Sequence, residues 1–258
     1  MNIVFIGAGN LARQLSQTLK STGNNILQVF SKTEKNAKAL ADIVGAEYTN
    51  DLIKIRSGAD LYIIAVSDDV LIRLAANKFL KSIIGNSVVI HTAGGVELSV
   101  LKTLSEHFGV FYPFQTFSKE RKISFKNIPI FIEASDEPTL EKLKKIGENI
   151  SEKVEISDFE HRKYIHLAGV FACNFTNQMY AMSEKILHSK NISFSVLMPL
   201  ILETAEKVRT NSPKTVQTGP VMRNDQVTIN KHIELLANMP DCKRMYLSIS
   251  ESIKKLHE

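Results

Sequence analysis

Ile3-Val4-Phe5-Ile6-Gly7-Ala8-Gly9-Asn10-Leu11-Ala12 carries an apolar run straight into a glycine-rich turn. Four successive apolar residues fit a strand buried on both faces of a parallel sheet. Gly7 permits the tight reversal, and Gly9 removes the Cβ that would hold a backbone away from a pyrophosphate. Ala12 stands where a third glycine is common and is still small enough for close helix–strand packing. Leu11, Leu15 and Leu19 recur at helical spacing, so the turn feeds a helix whose first N–H groups can hold an anion. The glycine pattern alone is weak evidence. Strand, turn and helix in this order predict a dinucleotide-binding unit with Gly7, Gly9, Asn10 and Leu11 at the cofactor. The alternative is a glycine-rich turn with no ligand.

The alternation continues down the chain. Strands are expected at Ile26–Phe30, Asp60–Val66, Ser87–Ile90, Val110–Tyr112 and Ile128–Glu133. Helices are expected over Thr33–Val44, Val70–Leu80, Val96–His107 and from Ser135-Asp136-Glu137-Pro138 to about Ile150. Such alternation implies right-handed crossovers and a doubly wound, mostly parallel α/β sheet. The pattern changes near residue 156. Ser157-Asp158-Phe159-Glu160 reads as a capping box, and helical patterns then run to about Ser189 and over Ser193–Arg209, Thr228–Ala237 and Lys243–Leu256. The expected organisation is a Rossmann domain over residues 1–156 and an all-α domain over 157–258, the latter for substrate binding and dimerisation.

Composition narrows the function class. The chain has 258 residues, 44% of them hydrophobic, and a net charge of +5. Its longest basic cluster is the short stretch from Lys119 to Lys126, with no aromatic platform beside it, so nucleic acid is not expected as a partner. No apolar run reaches the length of a membrane span, and the N-terminus lacks a basic signal-peptide region. Cys173 and Cys242 form no CxxC pair, which fits a reduced, cytoplasmic protein. The histidines show no metal-ligand spacing.

The choice of dinucleotide rests on the end of the second strand. A carboxylate about twenty residues past the glycine turn usually takes the ribose 2′-hydroxyl of NAD. Here the sequence reads Phe30-Ser31-Lys32-Thr33, with no acid. Two hydroxyls and a cation suit a 2′-phosphate, so NADP is favoured over NAD. An ordinary loop and helix cap is the plain alternative. Ala65-Val66-Ser67 ends the next central strand and belongs beside the ribose and nicotinamide half.

Further motifs carry a resemblance. Ala65-Val66-Ser67-Asp68-Asp69, His91-Thr92-Ala93-Gly94, Tyr112-Pro113-Phe114-Gln115-Thr116-Phe117, the stretch His166 to Phe175, and Gln217-Thr218-Gly219-Pro220-Val221-Met222-Arg223-Asn224-Asp225 together resemble the Rossmann-like proteins with a DUF2520 domain, often labelled NADP oxidoreductases. These are distant relatives of pyrroline-5-carboxylate reductase in the 6-phosphogluconate dehydrogenase-like superfamily. The resemblance covers nearly the whole chain. It implies the Rossmann fold and NADP as the cofactor. Three positions depart from the common pattern. His91-Thr92-Ala93-Gly94 replaces His-Ser-Gly, Tyr112-Pro113 replaces His-Pro, and Arg223-Asn224-Asp225 replaces Arg-Gly-Asp.

Hydride transfer to a carbonyl or imine needs a proton donor and groups that orient the substrate. His91, at a strand's carboxyl end, is either such a donor or a strand-end histidine bonded to backbone. His166 and Asn174 lie eight residues apart on one helix, with Val170 on the same face. They are read as lining a substrate cleft, or as making polar contacts between helices. Gln115 and Thr116 follow a strand end and are candidate substrate contacts. Arg223 can clamp a carboxylate, or Arg223 and Asp225 merely fix a loop and cap the next helix. The expected function is an NADP(H)-dependent oxidoreductase acting on a small carbonyl, hydroxyl or imine compound, with His91 and His166 as acid/base candidates. A non-catalytic NADP(H) sensor or partner-binding protein is the rival, and pyrroline-5-carboxylate reductase proper a third reading. Apolar helices such as Tyr164–Ile186 and Val196–Ala205 point to a homodimer.

Overall fold

In the computed structural model, which describes residues 1–257, the opening stretch forms strand β1 (Asn2–Ile6), buried from Ile3 to Ile6, followed by helix α1 (Asn10–Ser21). Next come β2 (Asn25–Phe30), α2 (Glu34–Val44) and β3 (Glu47–Thr49). The chain then makes β4 (Leu61–Ile64), α3 (Asp68–Ala75), α4 (Lys78–Ile84) and β5 (Val88–His91). β6 (Phe108–Pro113), β7 (Ile130–Ala134), α5 (Glu137–Glu148) and β8 (Val154–Ile156) complete the sheet.

The strand order is β3-β2-β1-β4-β5-β6-β7-β8. β1 to β6 run parallel, β7 is antiparallel to β6, and β8 is parallel to β7. The chain builds outward from β1 on one side, then returns to place β4 on the other. That reversal opens a crevice at the carboxyl ends of β1 and β4. Side-chain alternation feeds two cores. Ile3, Phe5, Leu61 and Ile63 pack on one face with Leu15 and Leu19 of α1, Leu40 of α2 and Leu143 of α5. Val4, Ile6, Tyr62 and Ile64 pack on the other face with Leu71 of α3 and Leu80 of α4. This is the doubly wound α/β fold.

Several local expectations change. The helix expected over Val70–Leu80 is two, because Asn77 caps α4 with its side chain accepting from the Leu80 N–H. The helix expected over Val96–His107 shrinks to a 3₁₀ turn at Leu98–Leu101. Thr103 donates to the Ala75 carbonyl and Ser105 to the Ser87 carbonyl, so side chains tie this stretch down in place of helical bonds. Helix α6 (Phe159–Gly169) is capped by Asp158, whose carboxylate accepts from the His161 N–H at 2.9 Å; Ser157 does not cap it. β3 and β8, three residues each, carry too little pattern to be read from sequence.

The chain divides into two compact units, one Met1–Cys173 and one beginning at Asn174. The sequence change near residue 156 suggested an earlier boundary. Arg162 of α6 explains the difference, since it donates to Glu133 of β7 and to the Val96 carbonyl and so ties α6 to the first unit. The second unit contains α7 (Thr176–His188), α8 (Met198–Thr210), α9 (Gln226–Leu235) and α10 (Pro240–His257). An apolar cavity of about 290 Å³ lies among Met179, Met182, Ile186, Met245 and Ile249. Among the described residues no helix is long and apolar enough to cross a membrane.

Candidate active site

The crevice holds a cavity of about 870 Å³ within the first unit. Its floor is the glycine turn. Gly7 has φ +118°, and a Cβ there would stand 2.1 Å from the Ala65 carbonyl oxygen, so only glycine lets the end of β1 lie against the end of β4. At Gly9 a Cβ would meet nothing within 4 Å. Gly9 keeps open space above the first turn of α1, where the N–H groups point out. Ala8, Leu11 and Ala12 also line the cavity.

Strand order sets the cavity's two sides. Toward β2, Phe30, Leu52 and Leu74 supply apolar walls, and Lys32, Asn36 and Arg73 supply polar groups. Toward β5 and β6, Thr92, Ala93, Gly94, Tyr112 and His166 line it, with Ala65, Val66, Ser67 and Asp68 between. Ser31 and Lys32 reach the cavity; Thr33 precedes α2 without a side-chain cap bond and does not line it. Asn10 lines the cavity, but its amide also donates to the Phe117 carbonyl at 2.9 Å. Gln14 donates to the Ser118 and Arg121 carbonyls, so α1 holds the segment after β6.

Register separates the two histidines. His91 pairs with Ile64, which pairs with Ile6, so His91 lies in the last row of the sheet rather than beyond it. It is fully buried. Its Nδ1 accepts from the Ala93 N–H at 3.2 Å, leaving Nε2 to face the Glu97 carbonyl at 3.4 Å. Burial, helped by the Arg162 cation, pushes its pKa down to about 4. His91 is thus a neutral strut under the loop that follows β5, with both ring nitrogens turned to backbone. Tyr112 lies two residues beyond Val110, the residue that pairs with His91, and so passes the end of β5 while still pairing with Phe131 of β7.

His166 does reach the cavity. Its Nδ1 lies 3.0 Å from the Tyr112 hydroxyl, and the two rings meet edge-on at 6.1 Å. Burial raises the Tyr112 phenol to about 12 against the pull of the Arg162 cation. Gln115 and Thr116 do not line the cavity; the Gln115 side chain accepts from the Thr116 N–H. Asn174, Arg223 and Asp225 belong to the second unit. The stretch Val170–Phe175 is a π-helical turn, so the eight-residue spacing from His166 to Asn174 does not have α-helical geometry throughout. Asp225 caps α9, accepting from the Thr228 N–H and hydroxyl, and those bonds lower its pKa. Arg73, Asn77, Asn36 and Leu52 went unnoticed in the sequence because their spacing follows no motif. Tyr112 was visible only as a departure from His-Pro.

Fold and site define a Rossmann-type protein with a helical second unit. Residues 128–253 match the family described as a domain of unknown function, DUF2520, and residues 2–95 match the family described as NADP oxidoreductase coenzyme F420-dependent. A Bacteroides fragilis protein provisionally assigned as an NADP oxidoreductase is 44% identical, with 98% of each chain covered and a TM-score of 0.92. Protein TM1727 from Thermotoga maritima is 23% identical over 99% of each chain, with a TM-score of 0.81. An imine reductase from Myxococcus stipitatus, solved with NADP+, shares the fold at 13% identity and a TM-score of 0.66, covering 100% of this chain and 96% of that one. No functionally curated protein matches. The chain belongs to the DUF2520 family of Rossmann-like proteins.

Proposed function

We propose that this protein is an NADP(H)-dependent oxidoreductase acting on a small carbonyl, hydroxyl or imine compound. The observation that carries the reading is the glycine cradle, open above Gly9 and continuous with a cavity that has Lys32 toward one side and His166 toward the other. NADPH, when bound, supplies the hydride. Gly7, Gly9 and the first turn of α1 would hold the pyrophosphate, and Ser31 and Lys32, with Asn36 nearby, would hold the 2′-phosphate. The B. fragilis relative's provisional assignment and the NADP+ complex of the M. stipitatus neighbour support this choice. His166 is the acid/base group, because it reaches the cavity and His91 does not. The unpaired cysteines favour a cytoplasmic location.

Calorimetric titration with NADPH and NADH tests the cofactor. A Lys32→Ala variant should bind NADPH about 10- to 100-fold more weakly, the loss of one charged hydrogen bond, with NADH binding little changed. Equal loss for both cofactors would remove Lys32 from 2′-phosphate selection, and no binding of either to the wild type would remove the cofactor reading.

The assembly we infer is a homodimer. In and beside α8, Val196, Leu200, Leu202 and Val208 are 45–63% exposed, more apolar surface than one helix of a monomer usually shows to water. Light scattering should give twice the mass of a 28.9 kDa chain, and a single-chain mass would overturn the inference.

A further inference from the structure

Tyr112 lines the cavity, and two glycines make room for its surroundings, Gly94 for Tyr112 itself and Gly169 for its neighbour Phe114. A Cβ on Gly94 would lie 2.5 Å from Tyr112 Cζ and 2.9 Å from its hydroxyl oxygen. A Cβ on Gly169 would lie 2.7 Å from the Phe114 ring. Phe114 and Phe131 in turn pack on Tyr112, with ring centroids 6.0 and 6.4 Å away. The phenol ring is thus boxed by Gly94, Phe114 and Phe131, and its hydroxyl is aimed at His166 Nδ1. The imidazole is held from its own side as well. Arg162, one helical turn earlier on α6, is fully buried and anchored to Glu133 and to the Ser157 and Val96 carbonyls. Among the described residues His166 Nε2 has no hydrogen-bond partner, and His166 is exposed at the cavity.

We propose that Tyr112 is the positioning residue for His166, holding the ring so that Nε2 delivers a proton to, or takes one from, the substrate's oxygen or nitrogen. The inference rests on the oxidoreductase reading and names the proton path it requires. As the substrate's C=O or C=N carbon gains a hydride, the π pair moves onto the heteroatom, and that atom takes the Nε2 proton of the imidazolium. The neutral ring keeps its Nδ1–H, which the phenol oxygen accepts, and solvent water returns a proton to Nε2. In the neutral ring poised the other way, the phenol donates to Nδ1. A hydroxyl serves both states because it donates or accepts by rotating one hydrogen. Its raised pKa keeps the phenol uncharged throughout, so it orients the imidazole without becoming a second titrating group.

The test reads the ring directly. In 15N-labelled full-length protein, imidazole spectra report which nitrogen carries the proton, and the His166 signals are assigned by their loss in His166→Asn. Tyr112→Phe should shift the His166 Nδ1 resonance toward that of a free imidazole and mix the tautomers. NADPH affinity by calorimetry should stay within about 3-fold, since no phosphate contact is touched. Gly94→Ala, which pushes the phenol aside while keeping its hydroxyl, should give the same signature. With 1-pyrroline and pyruvate as probe substrates, Tyr112→Phe should lower kcat about 10- to 100-fold with KM nearly constant, the range for a misplaced general acid. Identical His166 resonances in wild type and Tyr112→Phe would overturn the pairing, whatever the activity. Wild-type protein that binds no NADPH would instead sink the oxidoreductase reading while the ring spectra still decided the Tyr112 contact.

Discussion

Gly7→Ala should abolish NADPH binding and destabilise the first unit, whereas Gly9→Ala should abolish binding alone. At Gly7 the backbone is left-handed and the new methyl would fall 2.1 Å from the Ala65 oxygen and 2.7 Å from its carbonyl carbon. Both obstacles are main chain, so no rotamer relieves them. Relief requires the turn to lift away from β4, which breaks the Gly7 N–H bond to the Phe30 carbonyl at 2.8 Å and the Ala65 N–H bond to the Ile6 carbonyl at 2.8 Å. Strain at such a position costs about 1–3 kcal/mol before any clash is counted, so a loss on the order of 3 kcal/mol is expected. Gly9 has φ −75° and ψ −176°, a conformation any residue adopts, and its methyl would enter open space. Its variant should unfold within about 1 kcal/mol of wild type. Thermal melts and NADPH calorimetry on the two variants separate the fold's demand from the ligand's. Gly9→Ala with full NADPH affinity would show that the open space is not where the pyrophosphate lies.

The contrast between these glycines shows how far the sequence could be read. Residues 3–12 identify the fold because one local pattern meets three physical demands at once: a buried strand, a left-handed turn and a helix N-terminus. The place of Ser31 and Lys32 at the cavity was legible for a similar reason, since they sit at a fixed distance from the turn, whereas Thr33 of the same triplet does not line it. Tyr112 and Arg162 were not legible in that way. Tyr112 meets His166 across 54 positions of sequence, and Arg162 meets Val96 across 66. Nothing local marks such contacts. His91 was open to two readings from sequence, a proton donor or a strut bonded to backbone. Its place at a strand's end suggested chemistry, but one residue of register decides whether a side chain reaches the crevice or supports the loop beneath it. The helix expected over Val96–His107 failed because Thr103 and Ser105 found backbone partners outside their own segment.

Arg162→Met should lower stability by about 3 kcal/mol, near the bottom of the range for breaking a buried ion pair. The reason lies in what remains. Arg162 Nη1 lies 2.6 Å from Glu133 and 3.1 Å from the Ser157 carbonyl, and Nη2 lies 3.0 Å from the Val96 carbonyl. Methionine fills most of the space but leaves all three acceptors without their donor. The Glu133 side chain is 21% exposed, so water can recover part of its loss, while the two carbonyls are less easily reached. For a chain of this size the loss corresponds to a melting temperature lower by about 6–12 °C. Arg162→Lys keeps a cation but not the fork, and should fall between the two proteins. Glu133→Gln keeps an acceptor yet strands the buried guanidinium, whose Nε already has no hydrogen-bond partner among the described residues, and should cost at least as much as Arg162→Met. The same substitution has a second readout. Arg162 anchors α6 one turn before His166, so its loss should weaken the Tyr112–His166 contact and move the His166 ring resonances as Tyr112→Phe does. A melt within about 1 kcal/mol of wild type, with unchanged ring signals, would show that α6 is held by its apolar packing rather than by this buried cation.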